Sequence, residues 1–214
     1  MIKQDWNSKK LNLGSGPEVV DGWINIDYAL GAKLNKNVIF KKLNKRFHFF
    51  KLEWSSKILL HDLTKKLPFE SDSIDIIYSS HTLEHFTKEQ GFFILNECYR
   101  VLKKDGILRV VVPDLKAILR DYVNNKIHAE DFVYNLGVLS ENKNEDGFIR
   151  SILNYYFSLS PHKCMYDHES LIKICNSIGF IANRRNAYDS AINDITLIEK
   201  SNRVIDAVIV EADK

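Results

Sequence analysis

The 214-residue sequence is poor in the features on which secreted and membrane-embedded chains rely. It has three cysteines, Cys98, Cys164 and Cys175, widely spaced and without a Cys-x-x-Cys pair. Such an odd set builds no disulfide framework and is expected to stay reduced, as thiols do inside a cell. No apolar run approaches the ~18 residues of a membrane-spanning helix. The start, Met1-Ile2-Lys3-Gln4-Asp5-Trp6, offers no hydrophobic signal core, so a cytoplasmic location is expected. Only four prolines and nine glycines leave no room for low-complexity or collagen-like segments. Charge of one sign is also missing: 30 Lys and Arg stand against 28 Asp and Glu, and a net charge of +2 points to no partner.

What is present is ordinary globular material, 45% hydrophobic and 27% charged, which excludes wholesale disorder. A chain of this size can bury roughly 72% of its unfolded surface, enough for one domain over residues 1–214 without structural metal. Short apolar runs alternate with helical patterns. Strands are expected at Lys10 to Leu13, Trp23 to Asp27, Lys57 to His61, Ile74 to Ser79, Ile107 to Val112 and Asp206 to Val210, with a weaker run at Phe180 to Asn183. Their near-continuous apolar character is that of strands covered on both faces.

The helices between them carry terminus signals. Thr87 and Gln90 form a capping box before the stripe Gly91, Ile94, Leu95, Cys98, Val101 and Leu102. Lys103 and Lys104 suit the C-terminal end of that helix, and Asp105-Gly106 is expected to supply its left-handed stop. Asp114 and Asp167 read as caps of two further helices, the second closed by Gly179. The rhythm is that of a doubly wound α/β sheet. Two stretches interrupt it and read as insertions at the sheet edge. Residues 28–52 hold seven Lys or Arg, no Asp or Glu, and Phe47, Phe49 and Phe50; residues 126–160 end in the aromatics Tyr155, Tyr156 and Phe157.

The first strand runs into Leu13-Gly14-Ser15-Gly16-Pro17. Glycines here allow a sharp turn and a close approach of a ligand to the backbone. A dinucleotide fingerprint would have a third glycine where Val19 stands, and an acidic residue about 20 positions on, whereas Asp27 follows Gly14 by 13. As a bare motif the turn reads equally as structure. The context adds to it: Asp27 ends the second strand, Asp62 the third, and Ser79-Ser80-His81 the fourth. Four consecutive strand ends thus carry turn or polar residues on the carboxyl edge, where open α/β sheets bind ligands. Each carboxylate alone also reads as a cap or loop anchor; together they outline an elongated, nucleoside-sized site.

With these residues the chain resembles the class I S-adenosylmethionine-dependent methyltransferases, small bacterial members in particular. The resemblance is carried by Leu11 to Gly16, Gly22 to Asp27, Leu67 to Phe69, Ser73 to Asp75, His81 to His85, Glu97 to Lys103 and Leu108 to Asp114. It spans residues 10–114 and resumes from His162 to the end. It implies a Rossmann-like doubly wound, mostly parallel seven-stranded sheet with a C-terminal antiparallel hairpin, in one methyltransferase-like domain. It also implies S-adenosyl-L-methionine as cofactor, with Asn12 among the cofactor-binding residues, Gly14 and Gly16 beside the methionine part and Asp27 on the ribose. Asp62 and Leu63 would then meet the adenine, and the Ser79 to His81 backbone would border the methyl group. Two departures stand out: Asn12 replaces an acidic residue of many relatives, and Glu18 a third glycine. Relatives of this look imply a sugar or sugar-nucleotide acceptor of surface-polysaccharide assembly.

A sulfonium methyl group is already activated, so alignment alone can lower the barrier by about 7–11 kcal/mol. A hydroxyl acceptor gains a further ~10²- to 10⁴-fold from a general base. Candidates fall in two places, His81, Glu84 and His85 after the fourth strand, and His162, Tyr166 and His168 before the last capped helix. His85 and His162 are the expected bases, with His81 shaping the cofactor pocket through its backbone; each histidine also reads as a packing residue. His81 and His85 are four apart with Glu84 adjacent, yet the order is not His-Glu-x-x-His, and Cys164 adds no zinc spacing. No metal is therefore expected. The basic stretch reads as a solvated face or as a rim that attracts an anionic small-molecule acceptor. The absence of an Asn-Pro-Pro-Tyr turn and of a Pro-Cys pair argues against nucleic acid as substrate. Two other readings stay open: a non-catalytic nucleoside-binding protein, favoured by Asn12 and Glu18, and an NAD-dependent oxidoreductase, weakened by Val19 and the short step to Asp27.

Overall fold

Alternate residues along the central strands feed two separate apolar clusters. Ile77, Leu108, Val110 and Val112 join one cluster, while Tyr78, Val111 and Ile209 join the other. A side-chain period of two with both faces buried is what a sheet sandwiched between helices requires. In the computed structural model, which describes residues 9–17, 19–37, 46, 54–138 and 161–214, these strands form one sheet. Its members are β1 (Lys10–Leu13), β2 (Ile24–Asp27), β3 (Leu59–Leu60), β4 (Ile74–Ser80), β5 (Leu102–Pro113), β6 (Ile181–Arg184) and β7 (Ala207–Asp213). The seven strands lie in the order β3-β2-β1-β4-β5-β7-β6. The first five pair in parallel, and β7 inserts antiparallel between β5 and β6. Leu13 lies opposite both Ile26 and Ser79, so the carboxyl ends of β1, β2 and β4 are level.

Six helices accompany the sheet among the described residues: α1 (Leu30–Asn35), α2 (Lys88–Val101), α3 (Leu115–Val123), α4 (Ala129–Asn135), α5 (His168–Ile178) and α6 (Ile195–Ile198). The capping box of α2 is present: Thr87 Oγ1 accepts from the Gln90 N–H at 3.3 Å and the Thr87 N–H donates to Gln90 Oε1 at 3.0 Å. Ile94, Leu95, Cys98 and Val101 of α2 share a cluster with Leu171 and Cys175 of α5. Each aliphatic side chain fully buried there contributes about 1.5–3 kcal/mol. Asp114 caps α3 and Asp167 caps α5, and Gly179 ends α5 with φ +122°.

The end of α2 differs from its sequence pattern. The helix stops at Val101, and Leu102, fully buried, is already extended and opposite Ile74. Asp105-Gly106 instead form a bulge inside β5, between the pairs Ile74–Leu102 and Ile76–Ile107. The bulge is tied by Lys103 Nζ to Asp75 Oδ1 (2.7 Å) and by Asp105 N–H to the Lys214 carbonyl (3.0 Å). A Cβ on Gly106 would lie 2.8 Å from the Lys103 carbonyl, so the glycine serves the bulge and not a helix stop. β3 is shorter than its apolar run, and Trp23 packs in the core just before β2. α1 and α4 fall within the two rhythm-breaking stretches; Phe47, Phe49, Phe50 and Tyr155 to Phe157 lie outside the described residues.

A buried charge cluster is built into the sheet. Arg109 of β5 is fully buried and forms two bonds with Glu199, Nε to Oε1 at 2.8 Å and Nη2 to Oε2 at 3.0 Å. Nη1 donates to Glu211 Oε2 (3.2 Å) and to the Asp189 carbonyl (2.9 Å), and Nη2 to the Asn186 carbonyl (3.0 Å). All five guanidinium N–H groups therefore have acceptors. The arrangement ties β5 to β7 and to the segment before α6.

Candidate active site

After β1 the chain folds over the end of β2: the Gly14 and Ser15 N–H groups both donate to the Ile26 carbonyl, at 2.9 and 3.1 Å. Gly14 and Gly16 both have φ +67°, a region that favours glycine, but they differ in surroundings. A Cβ on Gly14 would overlap the Thr82 side chain, whose hydroxyl donates toward the Leu13 and Ser80 carbonyls. Gly14 is thus bare for packing. Around a Cβ on Gly16 no atom of the described residues lies within 4 Å, which leaves the backbone open to a ligand.

Asp27 joins this loop to the next element. Its Oδ2 accepts from the Gly16 N–H (2.9 Å) and its Oδ1 from the Ala29 N–H (2.7 Å). A carboxylate has about four acceptor positions, so the half-exposed group keeps capacity for hydroxyls. Asn12, in contrast, is 7% exposed and donates to Asn25 Oδ1 at 3.0 Å; Asn25 in turn holds the backbone of Val20 and Trp23. Asn12 is therefore committed to the turn between β1 and β2.

At the end of β3, burial alone would raise the Asp62 carboxyl. Bonds from the Thr64 hydroxyl (2.7 Å) and N–H (2.9 Å), with Lys65 nearby, outweigh it and hold the group below the usual carboxylate range. Asp62 therefore stays anionic. The Leu63 side chain is in the core, so only its backbone can face a ligand. The neighbouring His61 Nε2 is buried without a hydrogen-bond partner among the described residues. At the end of β4, His81 has φ +49°, a strained value for a residue with a side chain. It is held there by its N–H to the Val111 carbonyl (2.9 Å) and its Nε2 to the Arg203 carbonyl (2.9 Å), while Arg203 donates to the Ser80 carbonyl (3.3 Å). Arg203 has no local signal in the sequence; the turn at Ser201–Arg203 brings it across 122 residues.

A second cluster adjoins His81. A single 3-10 turn, Leu83–His85, presents Glu84, which is fully buried. His162 is brought to it by a staple of backbone bonds: Lys163 and Cys164 N–H donate to the Glu84 carbonyl (2.8 and 3.2 Å), and His162 N–H to the Gly137 carbonyl (2.8 Å). Gly137, with φ +66°, is needed because a Cβ would overlap the His162 ring. The His85 and His162 rings meet at 5.0 Å and 62°. Thus His81, Glu84, His85 and His162 come together. Tyr166 and His168 serve as packing. Burial, and then Cys164, pushes the Tyr166 hydroxyl far above its usual range. Burial, and then Arg184, pushes His168 below its ordinary value, and its Nε2 accepts from the Ile209 N–H at 3.4 Å.

Of the seven basic residues in 28–52, Lys33, Lys36 and Arg46 are described; Lys33 Nζ lies 3.3 Å from the Tyr28 ring centroid. No helix among the described residues is long and apolar enough to cross a membrane. Glu18 lies outside the described residues.

The residues at the carboxyl edge fit an adenosyl ligand: open backbone at Gly16, an anchored carboxylate at Asp27, an anionic Asp62 and the orphaned His61 nitrogen follow one another along the strand ends. Comparisons with known proteins bear on the fold. Residues 11–110 match the methyltransferase domain family. A SAM-dependent methyltransferase from Methanosarcina mazei superposes with a TM-score of 0.55 at 15% identity, over 99% of this chain and 94% of that one. The YcgJ protein of Bacillus subtilis gives 0.51 at 14% identity, over 98% and 92%. No curated protein matches the sequence. Residues 11–110, just under half of the chain, are thus similar to the methyltransferase domain family, and the seven-stranded sheet has the class I S-adenosylmethionine-dependent methyltransferase fold.

Proposed function

We propose that the protein transfers a methyl group from S-adenosyl-L-methionine to a small acceptor. The observation that carries this reading is the open backbone over Gly16, tied by its own N–H to Asp27. When bound, the cofactor supplies an activated methyl group. The chain's part is to hold and orient it. Asp27 offers acceptors to the ribose hydroxyls, and Asp62 with the Leu63 backbone faces the adenine. Gly14 and Gly16 border the methionine part, with Asn12 acting behind them by fixing the turn. The His81 backbone sits at the methyl end.

On the acceptor side, His162 Nδ1 meets the Leu136 carbonyl at 2.8 Å and must donate to it, so the neutral ring carries its lone pair on Nε2. That is the tautomer a general base needs, and His85 lies beside it. We assign the acceptor to sugars or sugar nucleotides, with Lys33 and Lys36 at a rim that favours anions, and the protein to the cytoplasm in surface-polysaccharide assembly. Calorimetric titration with S-adenosylmethionine and its demethylated product, with NAD as control, tests the cofactor. Micromolar binding of both adenosyl ligands, lost in Asp27→Ala and absent for NAD, is expected. NAD binding in their place would overturn the reading. A second reading, a binding protein without turnover, is favoured by the commitment of Asn12 to Asn25. Adenosyl affinity without methylation of any sugar nucleotide would select it.

A further inference from the structure

We infer that Glu84, His85 and His162 form a binding site for one divalent transition-metal ion of the zinc type. Each residue offers one ligand atom, and the three atoms lie within 4.8 Å of one another. A modest contraction brings such a set onto an ion with bonds of about 2.0–2.2 Å.

The hydrogen bonds around the cluster point the same way. Glu84 is fully buried, and among the described residues no hydrogen-bond donor reaches either carboxylate oxygen. A buried carboxylate without donors is costly and calls for a counter-charge. The imidazoles of His162 and His81 beside it do not provide one in their neutral form. His162 gives its Nδ1 proton to the Leu136 carbonyl, so Nε2, 4.0 Å from Glu84 Oε1, presents a lone pair. His81 gives its Nε2 proton to the Arg203 carbonyl, so Nδ1, 3.4 Å from the same oxygen, presents another. His81 approaches Oε1 alone, and Oε2 has no donor among the described residues. A cation held by Glu84, His85 and His162 balances the carboxylate and uses the His162 lone pair at once. A histidine whose second nitrogen is locked onto a backbone carbonyl is the arrangement that orients metal-binding imidazoles.

Two histidines and one carboxylate are a borderline-soft donor set that suits zinc better than magnesium or calcium. Three protein ligands leave a coordination position for water or for an oxygen of the acceptor. That last consequence rests on the methyl-transfer reading and places a hydroxyl-bearing acceptor at the metal, which then activates the hydroxyl in place of His162, whose Nε2 lone pair is used in binding the ion. The metal site itself does not depend on it.

The test uses the full-length chain without a histidine tag, stripped with chelator and titrated with zinc against a chromophoric competitor, and separately with cobalt(II). One equivalent of zinc is expected, with visible cobalt absorption of a four-coordinate site. His85→Ala and His162→Ala should each weaken zinc by about 100-fold or more, and Gly137→Ala, which displaces the His162 ring, by about 10- to 100-fold. Cys164→Ser should leave binding unchanged. Glu84→Gln is nearly isosteric, so it reports on the site even if a histidine variant does not fold. The inference is overturned if the folded wild type takes up no stoichiometric zinc or cobalt, or if Glu84→Gln and His162→Ala bind as the wild type does. Adenosyl titration of the same samples separates this outcome from failure of the cofactor reading, since either ligand can bind without the other.

Discussion

Around Arg109, five N–H groups meet five acceptors, and the partner carboxylates are themselves bonded further: Glu199 by the Tyr188 N–H at 2.6 Å and Glu211 by the Ala191 N–H at 3.1 Å and the Ser190 hydroxyl. Around Glu84, equally buried, no donor is in place among the described residues, and two imidazoles turn lone pairs toward it. Both clusters join distant parts of the chain, and both place charge where water does not reach. The first is complete and has no capacity left for a ligand, so its role is to fix β5 against β7. The second lacks the one thing a buried carboxylate needs, which makes it a place for binding or chemistry.

The largest effect is expected where the complete cluster is broken. Arg109→Met should cost about 3–5 kcal/mol, because Glu199 and Glu211 lose their common cation while still buried. Urea unfolding measures it. Adding Glu199→Gln and Glu211→Gln should recover much of the loss, since the penalty lies in the unpaired charges. A single-variant cost below about 1 kcal/mol would mean that water reaches the cluster.

The incomplete cluster should respond in the opposite sense. Without metal, Glu84→Gln should leave stability unchanged or raise it by about 1 kcal/mol, because a neutral amide can donate to the imidazole lone pairs. With zinc at a hundred times its dissociation constant, the wild type should gain about 2.7 kcal/mol and the variant nothing. A strongly destabilised, zinc-free Glu84→Gln protein would show that the carboxylate is structural, and the contrast with Arg109 would collapse.

How far these clusters can be read in the sequence follows from the distances involved. The apolar runs of β1, β4 and β5 and the capping signals at Thr87, Asp114 and Asp167 are local, and each forms its element. The carboxyl-edge residues Gly16, Asp27, Asp62 and His81 were also legible, because strand ends in such a sheet share one edge. Arg109 was not: a lone basic residue within an apolar strand carries no mark of partners 90 and 102 positions away. His81, Glu84 and His85 stand at a recognisable spacing, but what completes the group is His162, delivered by the Gly137 turn and the bonds to the Glu84 carbonyl. The end of α2 misled for a local reason: Asp-Gly marks a left-handed turn without saying whether it ends a helix or opens a bulge.

The two glycines of the first turn repeat the comparison on a smaller scale. Gly14 lies against Thr82, a filled position, and Gly16 faces open space. Gly14→Ala should therefore cost about 2–3 kcal/mol, from overpacking as well as from φ, and Thr82→Ala should recover part of it. Gly16→Ala should cost only about 1 kcal/mol for its backbone conformation, yet lower adenosyl affinity at least as much as Gly14→Ala does. Thermal unfolding and calorimetry on the same samples give both numbers. Equal stability losses would remove the distinction between the packed and the open glycine.

The smallest effect concerns the histidine outside the incomplete cluster. His168 is buried, and burial, then Arg184, depress its pKa below the ordinary 6.5. The unfolded chain therefore binds more protons between the two values, and stability must rise with pH across that window. Its contribution is fully present above about pH 6.5, the unfolded value, and is lost as pH falls through the folded one. Urea midpoints of metal-free protein between pH 5 and pH 7 should show this slope, and His168→Gln should flatten it. A slope that survives unchanged in His168→Gln would show that this histidine is not the group that carries it.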